Sequence, residues 1–339
     1  FEIDINSFKT LPKENNLLSG GEGLVDSSSP AGGFSETTTA SFSLDTVIGA
    51  VDGAANDSTE ALGFDYQMNI GLSTSFTGED SLDVTIDIGG AAAAGSLTKG
   101  GTIMGFDSTN NALQVDGITY TFPLAGATVV VGDTTDISST FTGACVYSAF
   151  TDYMGNCGTG NSVGVGGAGV TASVGYAFDS GFSIAGGISS PETAIMTTES
   201  NDMYGIELAY TADTYGLSLA YTSKDGGTDF DTTYWGVNAF YLPEAEALPS
   251  ISVGFETEEL VGYYQGYFVG LTWDEVGPGS LSLGAGTNRN FLDTETDLMT
   301  YEASYSYPIN DGMTITPGVY IKEGETDLTG VAVKTSFSF

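Results

Sequence analysis

Few residues in this chain have chemistry to offer. Its two cysteines, Cys145 and Cys157, stand close together in one loop-like segment. That placement fits a local disulfide made in an oxidising compartment, or a buried pair of free thiols. Asp225, Asp229 and Asp231 crowd a second loop. Their carboxylates could hold Ca2+ there or simply keep the loop solvated, and their spacing is not that of an EF-hand. Gly164–Gly169 matches G-x-G-x-x-G. A dinucleotide site needs a strand before that motif and a helix after it, whereas here a loop precedes and an alternating strand follows. Histidine is absent, which removes Ser-His-Asp and Cys-His catalysis and His-ligated metals. No nucleophile–base pair stands out. The chain is expected to be no enzyme and to carry no cofactor beyond that candidate loop cation.

Seven Lys and Arg stand against 44 Asp and Glu, a formal net charge of −37. Nucleic acid is excluded as a partner, because phosphate binding needs a basic surface. No run of about 18 apolar residues exists, so no transmembrane helix is expected; barrel strands give a weaker signal and stay open. Phe1 in place of an initiator Met suggests a mature or trimmed product.

What could position these residues is a long series of strands. From Leu62 to Phe76 the even positions carry Leu62, Phe64, Tyr66, Met68, Ile70, Leu72 and Phe76, while polar residues and Gly fill the odd ones. After a turn at 77–80, Leu82, Val84, Ile86 and Ile88 alternate with Asp83, Thr85, Asp87 and Gly89. A period of two marks strands with one apolar and one polar face. The apolar face would be core in a soluble sandwich and lipid-facing in an outer-membrane barrel.

Candidate strands lie near 38–50, 62–76, 81–89, 113–124, 127–133, 167–178, 181–189, 203–212, 215–223, 232–242, 249–257, 261–274, 279–287, 298–308, 312–322 and 327–339. That is about sixteen, an even number as bacterial barrels require. Short turns largely alternate with longer loops, the layout of a barrel with two unlike rims. Phe76, Phe122, Phe178, Tyr210, Tyr241, Trp273, Tyr307 and Phe339 close the strands that enter the short turns, and the last strand, each on its apolar face. They are expected to form an aromatic girdle at one membrane interface. Pro317 interrupts strand 312–322 and predicts a bulge or an unpaired position. The expectation is an all-β protein: a transmembrane antiparallel β-barrel over residues 37–339, behind an N-terminal segment or linker over 1–36.

The loop 134–166 carries Tyr147, Phe150, Tyr153 and Met154 with Asp152 between its two cysteines. Apolar side chains on a loop left in water are sticky. They suit a loop that folds inward and narrows the lumen, or one that covers a neighbouring subunit. Lipid-facing Leu62, Phe64 and Ile70 put Asp65 inside. The same parity turns Asp45, Asp83, Asp87, Glu207, Glu256, Glu302, Lys322 and Lys334 to the lumen as candidate pore-lining residues.

Several stretches resemble the cyanobacterial Som-type porins, grouped with the OprB-like carbohydrate-selective porins. They are Gly63–Ile70 with Ser75–Asp80, Ile118–Leu124, Gly166–Val170, Ile315–Tyr320 and the terminal Gly330–Phe339. The resemblance spans about residues 36–339. It implies a sixteen-stranded homotrimeric porin in the bacterial outer membrane, surrounded by lipid. It also implies an upstream surface-layer-homology module tethering that membrane to the cell wall. Lys334 stands where the family often has Arg. The expected function is a passive diffusion channel for inorganic ions and small hydrophilic solutes, carbohydrates among them, with a preference for cations. The alternative is a structural barrel that anchors the outer membrane to the cell wall.

Overall fold

A computed structural model describes residues 38–53, 62–90, 104–106, 109–158, 169–195, 197, 201–225, 231–245, 247–259, 264–287, 298–324 and 327–339. The expected segment 1–36 lies outside them. The strands are β1 (Thr38–Asp52), β2 (Gly63–Thr74), β3 (Ser81–Gly89), β4 (Gln114–Leu124), β5 (Ala127–Asp133), β6 (Val170–Ala177), β7 (Phe182–Ser190) and β8 (Met203–Thr211). They continue as β9 (Tyr215–Lys224), β10 (Thr232–Tyr241), β11 (Ser250–Glu259), β12 (Tyr264–Val276), β13 (Gly279–Thr287), β14 (Met299–Asn310), β15 (Met313–Lys322) and β16 (Leu328–Ser338). Each pairs antiparallel with its sequence neighbours, and β1 pairs with β16, for example Ile48 opposite Val333, so the sheet closes on itself. Closure leaves no unpaired edge.

The period of two decides what faces out. Phe64, Ile206, Leu217, Val269 and Val331 are exposed, as are outward apolar residues on most other strands, while Leu82, Val84, Ile86 and Ile88 of β3 are half-buried. A continuous apolar belt of this extent suits lipid rather than water. Aromatics join into contacts at the short-turn rim: Phe76 with Tyr120, Tyr120 with Phe122, Phe182 with Tyr210, and Phe42 stacked on Phe339. A second set at the opposite rim, Tyr221 with Trp235 and Phe255 with Tyr267, lies outside the girdle read from the sequence.

The register shifts at β3–β4, near the β12–β13 turn and near the β14–β15 turn. On β4 the pairing passes from Thr85–Gly117 to Ile86–Val115, which leaves Asp116 as an extra residue. This bulge lets Val115 and Ile118 both face outward although their numbers differ in parity. At Pro317 the register does not shift. Pairing with β14 skips the Tyr305–Ser306 stretch opposite it, while Pro317 still faces Val333 on β16. Pro317 therefore marks a locally unpaired position and not a bulge.

Candidate functional site

Residues 134–158 of the connection from β5 to β6 run along the inside of the barrel. This stretch touches strands from β6 round to β15, a span that only an interior path allows. Its first leg lies over β6 to β8. Thr171 donates its hydroxyl to Thr135 O (2.6 Å), and Ser173 donates to Ile137 O (3.1 Å). The backbone N–H groups of Thr142 and Gly143 donate to Glu207 on β8, at 2.6 and 2.8 Å. Val146 N then donates to Ser252 Oγ on β11 (3.1 Å).

The second leg is the ring closed by the Cys145–Cys157 disulfide. Tyr147 lies against Phe268 on β12, ring centroids 5.1 Å apart, and its hydroxyl donates to Glu302 Oε1 on β14 (2.8 Å). Phe150 N donates to the same oxygen (2.8 Å), while Thr151 N (2.8 Å) and Thr151 Oγ1 (2.6 Å) donate to Oε2. The ring ends in a 3-10 helix, Asp152–Gly158. Tyr153 carries Lys322 of β15 over its face, Nζ 4.7 Å from the centroid, a cation–π contact. Burial, then the nearby Glu302 charge, raises the Tyr147 hydroxyl above its ordinary value, so it stays a donor. In the first leg, burial and then Asp116 push the Asp136 carboxyl up.

Glycines on the inner face make room for this path. A Cβ on Gly187 would stand 2.4 Å from Ile137 O, and on Gly318 2.6 Å from the Phe150 ring. On Gly270 and Gly284 it would lie 2.4 and 2.5 Å from Tyr147. Apolar residues on the inner parity complete the seat: Val47, Val51, Phe268, Tyr320 and Ala332 cluster with Tyr147, Phe150, Tyr153, Met154 and Cys157. Met104 joins them from the β3–β4 connection. There Gly105, at φ 64°, brings the backbone close to Asp152: a Cβ would stand 3.1 Å from its carboxylate.

Glu207, Glu256 and Glu302 point inward but are 2, 1 and 5% exposed. All three keep the inward parity read from the sequence; the loop engages the carboxylates of Glu207 and Glu302, and Glu256 is as deeply buried. The inner face of β2 and β3 differs. Gln67, Asn69, Ser73, Asp83 and Thr85 keep partial exposure, as does Asp45 on β1. Asp83 accepts the Ser81 hydroxyl at 2.8 Å, and Asp45 accepts that of Ser336. Asp65 and Asp87, higher on this wall, are 5 and 4% exposed. Asn69 donates its amide to Asp87 (2.9 Å) in the orientation that satisfies its neighbours. Lys322 and Lys334 face inward and are half-exposed.

Of the candidate cation site, Asp225 donates its N–H to Asp202 O (2.8 Å), Asp231 precedes β10, and Asp229 lies outside the described residues. Among the described residues no three metal-ligating side chains come together. Beyond Gly169 the chain enters β6, so no helix follows the Gly-rich motif.

Sequence reasoning missed Glu207 and Glu302 as loop anchors, because most of their donors are main-chain N–H groups. It also missed Met104. A signal was present in the apolar Val47, Phe268 and Tyr320 on lumen parity, which announce something packed inside.

No family model matches the sequence, and no curated protein matches it. Solved structures do. Pseudomonas putida OprB superposes with a TM-score of 0.70 at 11% identity, over 90% of this chain and 94% of that one. A mutant of the Rh. blastica porin gives 0.60 at 13% identity, over 89% of this chain and all of that one. The barrel has the porin fold. At these identities the likeness covers the fold alone and does not reach the Som type.

Proposed function

We propose that this chain is a passive diffusion channel of the bacterial outer membrane. It passes inorganic ions and small hydrophilic solutes, with a preference for cations. One observation supports the reading above others: a loop fastened inside a closed, apolar-belted barrel leaves the inner face of β2 and β3 partly exposed. Solutes would be sorted by size in the gap between loop and wall. They would be sorted by charge at Asp45 and Asp83, with Asp65 and Asp87 above. A homotrimer, and a cell-wall tether upstream of these residues, belong to the same proposal.

Recording from single channels in planar bilayers under ion and sugar gradients tests it. Ohmic steps, with a reversal potential on the cation side, are expected. A folded barrel that passes no current would overturn the channel and leave the anchoring role. Light scattering in detergent reads the trimer.

A further inference from the structure

We propose that Glu207 and Glu302 are positioning residues that fasten the inward loop at two points and thereby set the free cross-section beside β2 and β3. The inference rests on the channel reading and deepens it. An ionised carboxylate offers about four lone-pair sites. Glu302 fills them with the Tyr147 hydroxyl, the Phe150 and Thr151 N–H groups and the Thr151 hydroxyl. Glu207 takes the consecutive N–H groups of Thr142 and Gly143. In both, adjacent backbone donors converge on one carboxylate, as in a backbone nest for an anion.

The two fasteners are not equivalent. Cys145 and Cys157 bracket every group that Glu302 holds, so the closed ring would loosen as one body once Glu302 is lost, kept on the wall by its apolar cluster and the Val146–Ser252 bond. The leg held by Glu207 keeps its bonds at Thr135 and Ile137. Both carboxylates are nearly buried. Replacing them should change the shape of the passage more than its charge. A half-exposed wall carboxylate such as Asp83 should do the reverse.

The test uses folded protein carrying Glu302→Gln, Glu302→Ala, Glu207→Gln or Thr151→Ala. Amide exchange at Phe150 and Thr151 reads the attachment whether or not the barrel conducts. In Glu302→Gln one side-chain oxygen becomes a donor facing donors, and protection should fall at least about tenfold, equivalent to about 1.4 kcal/mol. Open-channel noise and conductance should rise together, with the reversal potential nearly unmoved, and less so for Glu207→Gln. Formate added to Glu302→Ala should restore part of the protection and quieten the channel. If the Glu302 variants fail to fold, Thr151→Ala should give a smaller loss of the same kind. Unchanged protection at Phe150 in folded Glu302→Gln, or in Thr151→Ala where the former is not obtained, overturns the fastening. Protection lost with conductance and noise unchanged overturns the control of cross-section. Protection lost in a barrel whose parent passes no current keeps the fastening but sinks the channel reading.

Discussion

On β6, β11, β12 and β13 the inner residues Ser173, Ser252, Thr272 and Ser282 are 3, 1, 6 and 5% exposed. On β2 and β3 the matching positions, Gln67, Asn69, Ser73, Asp83 and Thr85, remain partly exposed. Both walls carry the same alternation and the same outward apolar belt. They differ in what the inner positions hold. The covered wall sets glycines and buried aromatics among its hydroxyls and glutamates, a surface shaped for close packing. The bare wall lacks the aromatics and keeps its amides, hydroxyls and Asp83 partly exposed. One sheet thus serves as a seat for a loop and as the side of a passage, and the inward aromatics with the glycines that make room for the loop mark the seat.

Cutting the disulfide should separate the walls most. A ring of this size contributes about 3 kcal/mol in the chain-entropy model. Reduction of the folded protein is expected to expose amides of the ring to exchange and raise current noise. The amides of β2 and β3 should stay protected and the barrel folded. Thiol labelling of both cysteines before any reductant would contradict the bridge, and equal loss of protection on both walls would contradict the division.

Inner glycines give the next effect. Leu at Gly318 or Gly270 must push into Phe150 or Tyr147, and overpacking of this kind costs about 1–3 kcal/mol. Leu at Gly71 on the bare wall meets the Ser41 hydroxyl at 2.7 Å, an atom that can rotate aside. Urea unfolding midpoints should drop for Gly318→Leu and Gly270→Leu and hold for Gly71→Leu. Gly71→Leu should instead lower conductance, because its side chain projects into the passage. The reverse pattern would exchange the roles of the two walls.

Charge is a smaller lever. Asp83→Asn should reduce cation preference, read as the reversal potential under a KCl gradient. Asp87→Asn should do so less, since Asp87 is 4% exposed. The preference should fade with salt, because the Debye length shrinks from about 8 Å at physiological ionic strength to about 3 Å at 1 M. An anion preference at low salt would refute the role given to this wall.

The strands and their register were readable because burial of one face forces a period of two, and a slip of one residue would turn Phe64 inward and Asp65 out. The inward loop was readable from Tyr147, Phe150 and Tyr153, which water would not tolerate. The bulge at Asp116 was not, since an extra residue in one strand shows only against its partner. Nor was the engagement of Glu302, because three residues of one loop meet it through groups of which two are backbone. A carboxylate on lumen parity looks the same whether water or a loop amide lies before it.

The smallest effect concerns a knot at the end of the bare wall. In the β2–β3 turn, Asp80 Oδ1 accepts from Ser75 Oγ, Phe76 N, Thr77 N and Thr77 Oγ1 at 2.8–2.9 Å. Its Oδ2 accepts from the Tyr120 hydroxyl on β4 (2.7 Å). The Tyr120 bond above all, then the Thr77 N–H, holds the Asp80 carboxyl well below the usual carboxylate range. A depressed folded value stabilises the turn above the unfolded value of about 3.9, and that support is lost as pH falls through the folded value. Protection of the Phe76 and Thr77 amides, corrected for intrinsic exchange, should therefore stay level from neutral pH to about pH 4 and decline below it. Tyr120→Phe should make the decline smaller and end it at higher pH, with its onset unmoved. Asp80→Asn should lower protection at every pH and flatten the profile. The covered wall should ignore both substitutions, because its loop hangs on Glu207 and Glu302 and not on this turn. A decline already under way between pH 7 and 5, or one whose size Tyr120→Phe leaves unchanged, would show that another group holds this end of the barrel.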